Sequence, residues 1–223
     1  MLVRRLIALY VGLWLYGWSM AVMLRAALGL DPWDVFHQGV ARNVPLSFGT
    51  VVAITGAVVL LAWIPLRQRP GLGTVSNVVV ISVAVDVGLN VLPQLDSLPV
   101  RIGAMLAAVL LNAVASVLYI GAGMGPGPRD GLMTGLVRRT GRPVWIVRTS
   151  LEVTVLAIGW TLGGSVGIGT LVYAFGIGPL IHVLIPSVDR CLPGFKDVHG
   201  PETLSPAPES MPDAIVARPL SSS

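Results

Sequence analysis

Two ionisable residues, Asp86 and His182, stand inside long apolar stretches where charged side chains are rare. Each follows a Gly-x-Gly-Thr segment by 12 residues, counted from Thr74 and from Thr170. On a helix this spacing corresponds to roughly 18 Å, close to the middle of a bilayer. A carboxylate and an imidazole at that depth could relay a proton or hold a cation. The alternative is a static buried pair, or two side chains satisfied separately.

A second ionisable pair, Arg148 and Glu152, is separated by four residues, which places both side chains on one helix face. Arg148 lies near the predicted end of its helix, whereas Glu152 lies deeper and needs a partner. The spacing therefore predicts an ion pair that fixes helix packing. A clamp on a charged substrate is the sharper alternative.

Carboxylates also open two short polar segments, where Asp34 and Asp130 each follow a proline. Asp31 can cap a helix that begins at Pro32, and Asp34 then lies in its first turn, where a carboxylate favours the helix dipole. Both are therefore interpreted as helix-start residues. The alternative is a gate at each membrane face, with Arg129 beside Asp130 contacting anionic groups.

The composition shows what must position these residues. Only 12% of the 223 residues are charged and 54% are hydrophobic, whereas soluble domains carry roughly 25% charged residues. The composition excludes a soluble enzyme, a disordered chain and a nucleic-acid binder, and predicts a protein surrounded by lipid. With one cysteine, three scattered histidines and no Ser/His or metal-ligand constellation, we expect no enzymatic activity, no metal and no cofactor.

Six apolar runs are long enough to cross a bilayer as helices. They cover approximately Leu6–Leu24, Phe48–Leu66, Val75–Leu92, Ile102–Ile120, Val144–Leu162 and Ile168–Ile185. With the N-terminus in the cytoplasm, eleven Arg and Lys residues fall in inside segments and three in outside segments. This bias predicts that both termini are cytoplasmic. Residues 187–223 are rich in proline and serine, and we expect a disordered cytoplasmic tail.

The chain repeats itself at an offset of 96 residues. The first matched set is Gly29, Pro32, Asp34, Gly39 and Arg42 with Gly125, Pro128, Asp130, Gly135 and Arg138. The second is Gly71, Gly73 and Thr74 with Gly167, Gly169 and Thr170. We therefore predict an all-α polytopic membrane protein of two inverted three-helix repeats, residues 1–93 and 94–186. The connectors after the first helix of each repeat are expected to be interfacial or partly re-entrant helices.

These motifs resemble those of the YczE family of bacterial integral membrane proteins, within the wider YczE/YyaS/YitT grouping. The resemblance is carried by Gly29–Gly39, Leu46–Thr50, Trp63–Thr74 and Gly125–Met133. It covers roughly residues 1–185 and implies a multi-pass protein of the bacterial plasma membrane. It implies no catalytic residues and no settled biochemical activity.

Two functions remain open from the sequence. Inverted repeats and polar groups at mid-membrane depth favour a small-solute or ion transporter. The alternative is a non-transporting scaffold that assists membrane-associated enzymes. The lipid bilayer is an expected partner in either case, nucleic acid is not, and a homo-oligomer is left open.

Overall fold

The computed structural model describes residues 2–191, which form eight α-helices and, within that range, no strand. The helices are α1 (Leu2–Ala26), α2 (Pro32–Asn43), α3 (Phe48–Trp63), α4 (Leu72–Val91), α5 (Leu98–Gly121), α6 (Pro128–Thr140), α7 (Val144–Thr161) and α8 (Ile168–Cys191). Helix α8 continues past the boundary at residue 186 that the composition suggested. The rest of the predicted tail lies outside the described residues.

Helices occupy all six predicted apolar stretches. Five of them, α1, α4, α5, α7 and α8, are long and apolar enough to cross a membrane. Helix α3 has only 16 residues. It is long enough to cross a membrane only when α2 and α3 are taken together as one bent span. The outward faces of these helices carry exposed large side chains such as Val79, Leu106 and Phe175. A soluble monomer rarely exposes so much apolar surface, whereas lipid covers it without cost.

The short helices α2 and α6 form where the connector motifs predict them. Asp31 caps α2 by accepting a hydrogen bond from the backbone N–H of Asp34 at 2.6 Å, and Pro32 takes the first helical position. Helix α6 starts in the same way at Pro128, with Gly127 at the cap. Proline suits this position because its missing N–H would have no partner within the helix.

The centre of the fold is the antiparallel pair α1 and α5. The two backbones approach closely at Gly12, where a Cβ atom would clash with the backbone of Ala115 and Tyr119. Near the middle of the pair, Asn112 donates a hydrogen bond to Ser19 at 2.8 Å. Helix α4 packs on α1, and α8 packs on α5. This arrangement puts the two units back to back around one helix pair.

After α1 the chain turns back along the helix that it has just left. Asp31 and Asp34 line a small pocket together with Ser19, Met20 and Met23 of α1. Ser19 lies seven residues before Ala26, which is roughly 10 Å along the helix. Helices α2 and α3 are then bent by 117° relative to each other. Helix α2 therefore begins alongside the last two turns of α1 and not beyond its end.

Contacts between the two units recur at the 96-residue offset. The backbone N–H of Gly73 donates to the carbonyl of Met124 at 2.8 Å, and that of Gly169 donates to Leu28 at 2.8 Å. Gly29 and Gly125 both adopt positive φ, 114° and 119°, which side chains other than glycine rarely tolerate. The loop before each short helix is thus held by the other unit.

The two units differ in how their last two helices pack. Helix α3 packs along α4, because Gly49 and Gly56 leave no space for a Cβ against Ser82 and Val78. The corresponding positions in the second unit carry Trp145 and Glu152. Helix α7 packs instead on α2 and α6, and it diverges from α8.

Helix α7 meets α2 at a glycine contact that predicts a clear effect on stability. A Cβ at Gly159 would lie well inside van der Waals distance of the backbone of Val35 and Phe36. We expect Gly159→Ala to destabilise the protein by roughly 1–3 kcal/mol, seen as a lower unfolding temperature in detergent by intrinsic fluorescence. Gly103→Ala is the matched control, since a Cβ there meets nothing within 4 Å. Equal unfolding temperatures for the two variants would refute this packing.

Candidate functional site

A cluster of buried charges lies where the N-terminal ends of α2 and α6 meet. Arg129 Nη1 lies 3.4 Å from Asp31 Oδ2, and Arg129 Nη2 lies 3.7 Å from Asp34 Oδ1. The two aspartate side chains are 5% and 4% exposed, while that of Arg129 is 28% exposed. One guanidinium from the second unit therefore holds two buried carboxylates of the first.

His37 extends this cluster along α2. Its Nδ1 lies 3.1 Å from Asp34 Oδ1. Because an ionised carboxylate can only accept hydrogen bonds, Nδ1 carries a proton whenever Asp34 is ionised. His37 packs edge-on against Phe36 and Phe48, so its ring is held in place from both sides.

Aromatic side chains surround the charges. Arg129 lies over the ring of Trp33, 5.1 Å from its centroid, a cation–π contact. Tyr119 donates a hydrogen bond to Asp130 Oδ2 at 3.3 Å, and its ring lies 6.0 Å from that of Tyr16 in an edge-on arrangement. Tyr173 donates to Asn112 at 3.0 Å. Three tyrosines from α1, α5 and α8 thus converge on one place.

The charged and aromatic groups line a cavity of about 360 Å³. Its walls come from every helix of the fold. The polar lining includes Asp31, His37, Arg129 and Asp130, and toward α7 it includes Arg148 and Glu152. On the side of α8 the lining is Tyr173, Ile177, Gly178 and Ile181. The cavity therefore extends between α7 and α8, where these helices diverge.

Burial changes the acidity of the two carboxyls that lie outside the spanning helices. It raises the pKa of Asp31, and the neighbouring Asp34 carboxylate raises it further, while the Arg129 guanidinium acts in the opposite direction. Burial likewise raises the pKa of Asp130, opposed by Arg129 and by the hydrogen bond from Tyr119. Both carboxyls therefore take up a proton more readily than they would in water.

The structure brings together three of the residues singled out from the sequence. Asp34, Arg129 and Asp130 belong to one cluster, and the two aspartates lie in the first turns of their helices as predicted. The idea of separate gates at opposite membrane faces is contradicted, since Asp34 and Arg129 lie 3.7 Å apart. The reason is that both connectors turn back into the bundle, so that their helix starts meet.

The predicted pair of Arg148 and Glu152 is present, with Arg148 Nε donating to Glu152 Oε1 at 3.0 Å. The two side chains are 60% and 38% exposed and line the cavity. The pair stands at the open edge of α7 and is not an internal packing contact. A surface pair of this kind contributes little to stability.

Asp86 and His182 are not brought together. Asp86 accepts hydrogen bonds from Ser47 Oγ at 2.5 Å and from the backbone N–H of Gly49 at 2.7 Å, so that it caps the start of α3. His182 is exposed on α8. Neither side chain lines the cavity, because the distance along a helix does not determine which way a side chain faces.

Sequence reasoning missed the tyrosines, Trp33 and His37 as parts of the site. Trp33 and His37 lie within the Gly29–Gly39 motif that carries the family resemblance. Polar side chains among apolar ones do mark this motif in the sequence. The sequence does not show which side chains from other helices they contact.

Comparison with known proteins gives a consistent result. The family model DUF6198, described as a family of unknown function, matches residues 3–186. An uncharacterized protein of Haemophilus influenzae is 34% identical over 169 residues, which is 76% of this chain and 78% of the relative. The uncharacterized membrane protein YczE of Bacillus subtilis is 32% identical over 187 residues, or 83% and 87% of the two chains. The uncharacterized protein YyaS of the same species is 22% identical over 184 residues, or 81% and 92%. No solved structure matches the chain.

The cluster predicts a stability that depends on pH once Arg129 is removed. Arg129→Ala leaves Asp31 and Asp34 buried without their counter-charge, a loss of roughly 3–5 kcal/mol. Burial raises the pKa of Asp31 above its unfolded value, and removal of Arg129 takes away the charge that opposes this rise. The Asp31 carboxyl therefore contributes most stability at low pH, and the contribution falls as pH rises through the folded pKa. We therefore expect Arg129→Ala to lower the unfolding temperature more at pH 8 than at pH 5.5.

The matched control is Arg148→Ala, which removes a guanidinium from an exposed pair and should change the unfolding temperature little at either pH. An Arg129→Ala protein that is as stable as the unmodified chain at pH 8 would contradict the assignment of a buried ion cluster.

Proposed function

The chain belongs to the DUF6198 family and to the YczE grouping of membrane proteins, and from that premise we propose that it is a small-solute or ion transporter-like protein. It is a multi-pass membrane protein, and we place it in the plasma membrane with both termini in the cytoplasm. We further propose that it moves its substrate unchanged and is not an enzyme. No activity is carried over from the relatives, which are named as uncharacterized proteins.

The observation that carries the proposal is the cavity. It has a volume of about 360 Å³, at the lower end of the roughly 300–1,000 Å³ found for small-molecule sites. Charged side chains of both units converge on it, and two short helices begin at its wall. These charged side chains are paired with one another, and Asp31, Arg129 and Asp130 also line the open space of the cavity, as charged groups on a substrate or ion pathway do.

The recurring contacts support an inverted repeat. The hydrogen bonds from Gly73 to Met124 and from Gly169 to Leu28 are equivalent. In the first, the first unit donates to the second, and in the other the second unit donates to the first. Three spanning helices per unit would make the second unit enter the membrane from the opposite side. Secondary transporters commonly place their substrate between such repeats, beside the ends of broken helices.

The difference between the units supports an entrance on one side. Helices α3 and α4 form a closed wall through Gly49 and Gly56, and Asp86 closes its end. Helices α7 and α8 leave an opening whose edge carries Arg148 and Glu152. A solute would enter between α7 and α8 and pass this ion pair before it reached Arg129.

One observation favours the scaffold alternative. Helix α7 buries only Val147 and Gly159, and large side chains such as Trp145 and Trp160 are exposed along it. Lipid can cover this surface, but so could a membrane-associated enzyme. The two functions differ in one measurable respect, since only a transporter needs water to reach the cavity.

Access to the cavity can be measured with cysteine labelling in a Cys191→Ser background. Ser116 is buried and lines the cavity, whereas Ala113, one turn earlier on α5, is buried and does not line it. We expect Ser116→Cys to react with a membrane-impermeant thiol reagent from at least one side of the membrane, and Ala113→Cys to be unreactive from both. Protection of Ser116→Cys from both sides would refute transport and favour the scaffold.

The orientation is tested by reporter fusions. A periplasm-dependent phosphatase fused after residue 96, in the loop between α4 and α5, should be active. The same reporter fused after residue 141, between α6 and α7, should be inactive. Activity at both positions or at neither would place the two loops on one side of the membrane, and the inverted arrangement would be lost.

A further inference from the structure

We propose that the cavity binds a small organic monocation, of the quaternary ammonium or protonated amine class, and that a proton competes with it for the same site. The inference names a substrate class and therefore rests on the proposed function. It is carried by three independent features of the cavity: its balance of charge, the occupation of its arginines and its aromatic walls.

The charges at the two helix starts do not balance. Asp31, Asp34 and Asp130 supply three carboxylates, and Arg129 supplies one positive charge. The N-terminal ends of α2 and α6 each add roughly half a positive charge. About one negative charge is left over at the two helix starts. One further positive charge would neutralise it, and the cavity provides the space for that charge.

The arginines of the cavity are already engaged. Arg129 has two carboxylates within 4 Å and Trp33 beneath it. Arg148 is paired with Glu152. An anionic solute would have to displace a carboxylate from one of these guanidinium groups and would add to the negative charge. The lining thus disfavours an anion and favours a cation.

The walls are suited to an organic cation and not to a metal ion. Tyr16, Trp33, Tyr119 and Tyr173 line the cavity, and aromatic faces attract alkylammonium groups. Among the described residues there is no group of three or more His, Cys, Asp or Glu side chains arranged to hold a metal ion. Asp130 is the counter-ion assigned to the ligand, because Tyr119 and not a guanidinium is its hydrogen-bond partner.

A proton can supply the same positive charge when the organic cation is absent. The acceptors are the carboxyls of the cluster, such as Asp31 and Asp130, whose pKa values burial raises. The titratable and charged groups that face this cluster come from six helices: Tyr16 of α1, Asp34 and His37 of α2, Tyr119 of α5, Arg129 and Asp130 of α6, Arg148 and Glu152 of α7, and Tyr173 of α8. Binding of the cation should therefore displace a proton, which is the requirement for exchange of the two across the membrane.

Three probes of nearly equal shape separate charge from size. They are choline, its neutral carbon analogue 3,3-dimethylbutan-1-ol, and the anion 3,3-dimethylbutanoate. With the full chain purified in detergent, we expect choline to bind at least tenfold more tightly than either analogue by calorimetry. We also expect up to one proton to be released per choline in weak buffer, and the affinity to fall as the pH is lowered.

Two carboxylate variants complete the test. Asp130→Asn should weaken choline binding at least tenfold and reduce proton release. Asp86→Asn makes the same chemical change outside the cavity and should leave both unchanged. Equal binding of the neutral analogue, preference for the anion, or no binding of choline, ethylammonium or guanidinium would overturn the charge assignment. Choline binding without release of a proton would also overturn the proposal, because the proton and the cation would then not compete for the site.

The outcomes separate this inference from the proposed function. If choline binds as expected but no flux is found in liposomes, the cation site stands and transport is lost. If cations fail to bind while Ser116→Cys is reached by thiol reagents from the aqueous phase, the transport proposal stands and the substrate class is wrong.

Discussion

The contact of Arg129 with Asp31 and Asp34 is the interaction on which the rest of the structure depends. Two carboxylates buried beside an apolar bundle are costly unless a counter-charge reaches them. The first unit has no such charge at that place, and the guanidinium comes from the second unit, 98 residues further along. Neither unit can therefore complete its interior alone. The same requirement pulls the starts of α2 and α6 together and leaves a polar cavity at the point where they meet.

Features determined by local sequence were predictable. The six apolar stretches are helices, Asp31 caps α2, Pro32 and Pro128 begin their helices, and the 96-residue offset marks contacts that recur in the structure. Each depends on residues close in sequence or on a direct comparison of two segments. The cluster was not predictable, because it requires both connectors to turn back, and composition cannot distinguish that path from a helix lying along the membrane surface.

The case of Asp86 shows the same limit in another form. Its depth follows from helix rise, but its partners depend on which neighbour lies beside that face of α4. Here the neighbour is the start of α3, whose free N–H groups need an acceptor, and Asp86 supplies one to Gly49. The matching residue, His182, is exposed on α8, and α7, which carries Trp145 and Glu152 where α3 has Gly49 and Gly56, packs on α2 and α6 and not on α8. Equivalent positions in a repeat have thus acquired different roles through differences in their neighbours.

This divergence bears on how the cavity could work. A protein with two closed walls would have a sealed interior, and one with two open walls would lack support for its buried charges. The glycine contacts of α3 and α4 close one wall, while α7 packs mainly on α2, through Gly159, and not along α8. If one negative charge remains unbalanced in the cavity, the protein is most stable when a proton or a cation occupies that cavity. Movement of α7 would then open the cavity while it holds either the proton or the cation. Because the cavity needs one positive charge, the cation could enter only as the proton leaves, and the reverse.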